Sequence, residues 1–122
     1  MTGKYARLNN LQIYTRSLDL TLNVLEELNS NKGKLKYNYV KDQLSRSVAS
    51  IGANIAEGFG RTYKKDFKRF LSIARGSCFE SSYWFEIANN LRLIDNENRI
   101  KFEKEITELV KMITTFMKKL EI

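Results

Sequence analysis

The 122 residues suit one compact domain spanning 1–122, and a hydrophobic content of 43% with 29% charged residues is ordinary for a soluble globular protein. Twenty-one basic against 14 acidic residues give a net charge of +7, which favours an anionic partner and says nothing about fold. No apolar run approaches twenty residues, which excludes a membrane span, and the single cysteine, Cys78, excludes an intrachain disulfide and fits a reducing cytoplasm.

Proline is absent and glycine occupies only six positions, so long uninterrupted helices are expected. Met1–Asn10 carries Lys4 and Arg7 with no apolar stretch behind them, so no signal peptide is expected. A first helix is predicted from Lys4 to Leu28, with Leu11, Leu18, Leu22 and Leu25 on one face and Ile13, Leu20, Val24 and Leu28 beside them. The cap and turn residues from Asn29 to Gly33 end it. A second helix runs from Lys36 or Tyr39 to Glu57 on the 4-3-4 spacing of Leu44, Val48, Ile51 and Ile55. Gly58-Phe59-Gly60 closes it, with glycine expected in the left-handed conformation that helix ends favour.

The third helix is expected to start with Thr62 as N-cap and Asp66 in its first turns. Its core line is Phe67, Leu71, Ala74, Cys78, Ser81, Phe85 and Ala88, flanked by a second line of Phe70, Ile73, Ser77, Glu80, Trp84, Ile87 and Leu91. That surface is wider than one stripe, which makes this helix central in the bundle or buried in a subunit contact. Leu93–Asn96 links it to a fourth helix, with Asp95 or Asn96 as N-cap and Phe102, Ile106, Leu109, Ile113, Phe116 and Leu120 inward. Four such helices with short links read as an all-α, antiparallel up-down-up-down four-helix bundle.

Two groups of residues could carry function. Arg46, Ser50, Asn54 and Glu57 form a polar seam on the second helix, and Ser77, Glu80 and Ser81 interrupt the apolar surface of the third. A buried Glu80 would need a partner, and Arg46 and Arg75 are the nearest by type. A structural network setting helix register outweighs a small-molecule pocket of Asn54, Glu57 and Glu80, because no nucleophile is paired with a base. With no histidine and one cysteine, neither a metal site nor any other cofactor is expected, and the chain reads as non-enzymatic. Cys78, on a core line, reads as a small apolar filler, and Glu103, Glu105 and Glu108 among Lys101, Lys104 and Lys111 read as a solvated, ion-paired face.

The second group is basic. Arg61, Lys64, Lys65, Lys68, Arg69 and Arg75 face Asp66 alone, a local charge of +5 at the start of a helix, which suits phosphates. No base-reading motif accompanies them, so RNA or DNA would be held by backbone and shape with little sequence preference. Tyr63, Phe79, Tyr83 and Trp84 cannot all face one core line, and homo-oligomerisation is the economical reason for apolar surface of that kind. An adaptor for an acidic protein is the alternative function.

The segment SRSVASIGANIAEGFGR (Ser45–Arg61), continued by KKDFKRFLSIARGS (Lys64–Ser77) and Glu80, resembles the signature of the bacterial four-helix-bundle proteins encoded in 23S rRNA intervening sequences. The resemblance covers most of the chain, and its NIAEG and IARGS motifs are quite specific. Gly52 stands where that family commonly has proline, so the usual kink of the second helix would be softer here. The resemblance implies a left-handed antiparallel bundle that assembles into a ring, a homopentamer. More distantly, the chain is similar to the accessory variability protein of diversity-generating retroelements, a basic pentameric barrel that binds nucleic acid.

Overall fold

The computed structural model describes residues 8–30 and 36–121. Apolar residues at helical spacing and the lack of proline give four helices in that range: α1 (Gln12–Ser30), α2 (Asn38–Phe59), α3 (Lys64–Asn90) and α4 (Asn96–Lys119). They pack in a cycle, α1 on α2, α2 on α3, α3 on α4 and α4 back on α1, which makes the chain an all-α four-helix bundle. No described helix is long and apolar enough to cross a membrane.

The core forms as the spacing requires on three of the helices. Leu44, Val48, Ile51 and Ile55 of α2 are buried against Leu71, Ala74, Cys78, Phe85 and Ala88 of α3 and Phe102, Ile106, Leu109 and Ile113 of α4. Phe67, Phe116 and Leu120 pack on this core while only partly buried. Asp95 caps α4 by accepting a 2.8 Å hydrogen bond from the Asn98 amide.

Several boundaries and faces differ from expectation. The predicted start at Lys4 lies outside the described residues, as does the turn at Gly33. Within them, the Leu11 amide bonds the Leu8 carbonyl in a turn, and α1 begins only at Gln12. Leu8 and Asn9 are themselves helical, so the break falls at Asn10 and Leu11, where an asparagine side chain competes for backbone groups and disfavours helix. On α1 the buried row is Ile13, Ser17, Leu20, Val24 and Leu28, so Leu18, Leu22 and Leu25 point outward. Tyr63 takes the N-cap position of α3 in place of Thr62, in an extended conformation and without a side-chain capping bond.

The glycines at the end of α2 also serve a different purpose from the one their position suggests. Gly60 is right-handed, at φ −75°, and its amide bonds the Ala56 carbonyl. Gly58 is buried instead, and a Cβ there would lie 2.7 Å from the Phe70 Cβ and 2.9 Å from Phe67 Cδ1. Its missing side chain therefore lets the end of α2 approach the first turns of α3. At Gly52 a Cβ would meet the Ser17 hydroxyl at 2.9 Å, so this residue sets the approach of α2 to α1, and α2 runs unbroken through it.

Candidate nucleic-acid interface

The polar seam and the basic stretch occupy different surfaces. Where α2 meets α3, the Ser50 hydroxyl donates to Ser77 Oγ at 2.6 Å, and the Ser81 and Ser47 hydroxyl oxygens lie 3.3 Å apart. Ser47, Ser77 and Ser81 are buried, and each hydroxyl also bonds a carbonyl of its own helix. Asn54 closes the row by donating to the Ser50 carbonyl at 2.8 Å. Small hydroxyls thus hold the helix pair together without charge. Ser47 escaped the sequence reading because it sits beside Val48 and one place off the seam that starts at Arg46.

The charged members of the expected network lie elsewhere. Arg46 bonds Asp42 and Glu57 bonds Arg61, both within one exposed helical turn. Glu80 is exposed and accepts from the Trp84 indole at 3.3 Å, so it has no need of the arginine partner that burial would demand. Asn54, Glu57 and Glu80 therefore do not form one enclosed polar pocket. Cys78 is fully buried, and burial pushes its thiol up to about 12, against a weaker opposing pull from Arg75, which leaves it an apolar filler.

The α4 carboxylates differ from the expected solvated face. Glu105 forms a two-pronged pair with Arg16 of α1, at 2.6 and 2.8 Å, and this bond is the main reason the guanidinium holds its proton more tightly. Glu103 is half-buried, accepts from the Ser82 hydroxyl at 3.1 Å, and has its second oxygen buried with no protein partner. Burial is the largest cause pushing its carboxyl above the usual range, with the Ser82 bond and Arg99 opposing it and Glu86 adding to it.

The basic residues gather at one end of the bundle. Lys64, Lys65 and Arg69 are exposed on the first turns of α3 and make no ion pair among the described residues. Arg61 and Arg69 both lie over the Phe70 ring, 4.9 and 4.6 Å from its centroid. Lys68 pairs with Glu121 at 2.5 Å, and Arg75 donates to Thr114 at 3.0 Å while lying 5.3 Å over the Phe79 ring. These last contacts place the end of α4 beside the start of α3. Lys68, mainly through its hydrogen bond, and Lys118 hold the Glu121 carboxyl below its ordinary range, so both cations face that acid.

Antiparallel packing thereby brings the end of α4, with Lys118, beside the α3 cluster, a contribution the linear sequence hides, while Lys111 and Lys119 line a groove between α4 and Gln12 and Ile13 of α1. Residues 57–75 and 111–121 carry nine basic side chains against three acidic ones. All other described residues carry eight basic against eleven acidic, so the positive charge of the described bundle resides in one half. Lys118 and Lys119 also lie in the last turn of α4, where the helix dipole favours cations. Among the described residues, Lys64, Lys65, Arg69, Arg75, Lys111, Lys118 and Lys119 make no ion pair with a carboxylate, although Lys118 lies in the field of Glu121, while Arg61 and Lys68 are paired with Glu57 and Glu121.

A sequence profile of the 23S rRNA-intervening sequence proteins matches residues 9–115. Among solved structures, the chain is similar to a protein of unknown function from the S23 ribosomal protein family of Bacteroides thetaiotaomicron. The two share 26% identity with a TM-score of 0.80, over 87% of this chain and 98% of that one. No curated protein matches the chain significantly.

Proposed function

The chain belongs to the 23S rRNA-intervening sequence protein family, and on that premise we propose that it is a non-enzymatic, self-associating cytoplasmic bundle that binds RNA or DNA through its basic half. One observation carries the reading: residues 57–75 and 111–121, at one end of the bundle, carry nine basic side chains against three acidic ones, and seven of the nine make no ion pair with a carboxylate among the described residues. Evenly spaced phosphates fit such a field, and with no base-reading element nearby the binding depends on backbone and shape. The absence of histidine supports a binding role over catalysis.

Self-association, as the homopentamer that the family resemblance implies, has an apolar surface available to it. Leu18, Leu22 and Leu25 of α1 are 43%, 50% and 40% exposed, and the neighbouring α2 surface presents Ala49, Ala53 and Ala56. This aliphatic strip carries no charge, and a second copy of the chain is its proposed occupant.

The test is binding of a structured RNA across a salt series, with native mass measured before and after nuclease. Affinity is expected to fall steeply with salt, and the assembly to persist after nuclease. Salt-independent binding would count against the phosphate reading. Retention of an acidic protein after nuclease, without RNA affinity, would move the function to the adaptor alternative.

A further inference from the structure

We propose that the groove where α4 lies against the start of α1 holds one unpaired nucleotide of the bound nucleic acid, its base inward and its flanking phosphates on Lys111 and Lys119; this rests on the nucleic-acid reading above. The groove has a volume of about 290 Å³. Buried Ile13 and half-buried Met112 and Phe116 make its floor, and exposed Gln12, Lys111, Thr115 and Lys119 make its rim. These side chains share one surface. Ligand clefts run from about 300 to about 1,000 Å³, so this one suits a single nucleotide rather than a helix or strand of a partner protein.

The floor is held from behind. The Phe116 ring packs on Phe67 with centroids 5.4 Å apart, and Met112 Sδ accepts from the Arg16 guanidinium at 3.3 Å. No acidic residue lines the groove, and neither lysine makes an ion pair among the described residues. Lys111, Thr115 and Lys119 recur every four residues, so the lysine stems start about 12 Å apart along α4 with a hydroxyl between them. Flexible stems let both ammonium groups close on phosphates to either side of one sugar. The Gln12 amide and Thr115 hydroxyl offer donors and acceptors to a base edge, and the floor offers an apolar face to its ring. A fatty carboxylate would engage one lysine and leave those polar groups idle. The next groove along the α1–α4 seam differs in charge. Its three basic residues, Arg16, Lys101 and Lys104, are matched by Asp19, Glu105 and Glu108, which leaves an anion no net attraction.

The full chain should be titrated at low salt with adenosine 3′,5′-bisphosphate, and in parallel with pyrophosphate and octanoate. The bisphosphate is expected to bind about five-fold or more tighter than pyrophosphate, from contact with the base, and to be blocked by saturating RNA. Lys111→Glu/Lys119→Glu should weaken it about ten-fold or more, while Lys101→Glu/Lys104→Glu, the same change of charge on the neighbouring groove, leaves it within about two-fold. All four lysines are exposed, so the fold should survive. Equal affinity for pyrophosphate overturns the inference by removing the base from the floor, and tighter octanoate binding overturns it by assigning the groove to a fatty anion. Equal losses in the two double variants overturn it in favour of bulk charge. Bisphosphate binding undiminished by RNA also overturns it, by assigning the groove to free nucleotides. If RNA binds and the bisphosphate does not, the basic-half reading stands and the nucleotide groove fails. If neither binds, the nucleic-acid reading itself fails.

Discussion

Single atoms decide how two of the glycines and one acid behave. Gly58 and Gly76 look alike in sequence, each inside a helix, yet a Cβ at Gly58 would strike Phe70 and Phe67 while one at Gly76 would meet nothing within 4 Å. Gly58→Ala is expected to cost about 1–3 kcal/mol through forced displacement of those rings. Gly76→Ala should stabilise by about 0.5–1 kcal/mol through helix propensity. Urea denaturation of the two variants checks the contrast, and equal effects would contradict it. Glu103 gives a pH signature. Its folded proton affinity lies above its unfolded one, so its contribution is largest below the ordinary carboxylate range and is lost as pH rises through the folded pKa. Glu103→Gln should therefore raise the urea midpoint at about pH 7, with the gain fading towards about pH 4 as the wild-type carboxyl takes up its proton. A gain that does not change with pH would contradict burial as the cause. Helical spacing placed Glu103 beside Lys104 on a wet face; only the packing of α4 on Ser82 of α3 shows that one carboxylate oxygen is enclosed.

At the scale of elements, periodicity found the rows of side chains more reliably than it found their direction. The core lines of α2, α3 and α4 were legible because each has one dominant apolar row. Helix α1 has two, and its buried row contains Ser17, a residue that apolar counting skips. Ser17 is buried because Gly52 of α2 lies against it and its hydroxyl bonds the Tyr14 carbonyl at 2.8 Å, neither of which a single helix reveals. The outward leucines separate two effects by mutation. Leu20→Ala, in the core, should lower stability by about 2–5 kcal/mol. Leu22→Asp should leave the helix content intact and reduce the assembled mass in sedimentation. Unchanged mass would show that the aliphatic strip of α1 and α2 is not the self-association surface. The α2–α3 seam was legible as polar but not as uncharged, because the arginine and glutamates that flank it in sequence turn outward to partners four residues away along the chain.

For the whole molecule, the central result is the separation of charge into two halves. The sequence exposes the α3 part of it as a run of like charges. The α4 part is scattered between acidic neighbours, and joins the patch only because an antiparallel bundle brings the end of α4 to the start of α3. That geometry puts the end of α4, with Lys118 and Lys119, at the same end of the bundle as Lys64 and Lys65, although more than fifty residues separate them. The most direct test compares Lys64→Glu/Lys65→Glu with Lys118→Glu/Lys119→Glu in RNA binding across a salt series. Both double variants are expected to weaken binding at low salt by about ten-fold or more and to flatten the dependence of log K on log salt, since each removes phosphate contacts. Wild-type affinity and slope in the α4 variant would contradict a shared two-helix surface, and wild-type behaviour in both would contradict the basic half as the site of binding.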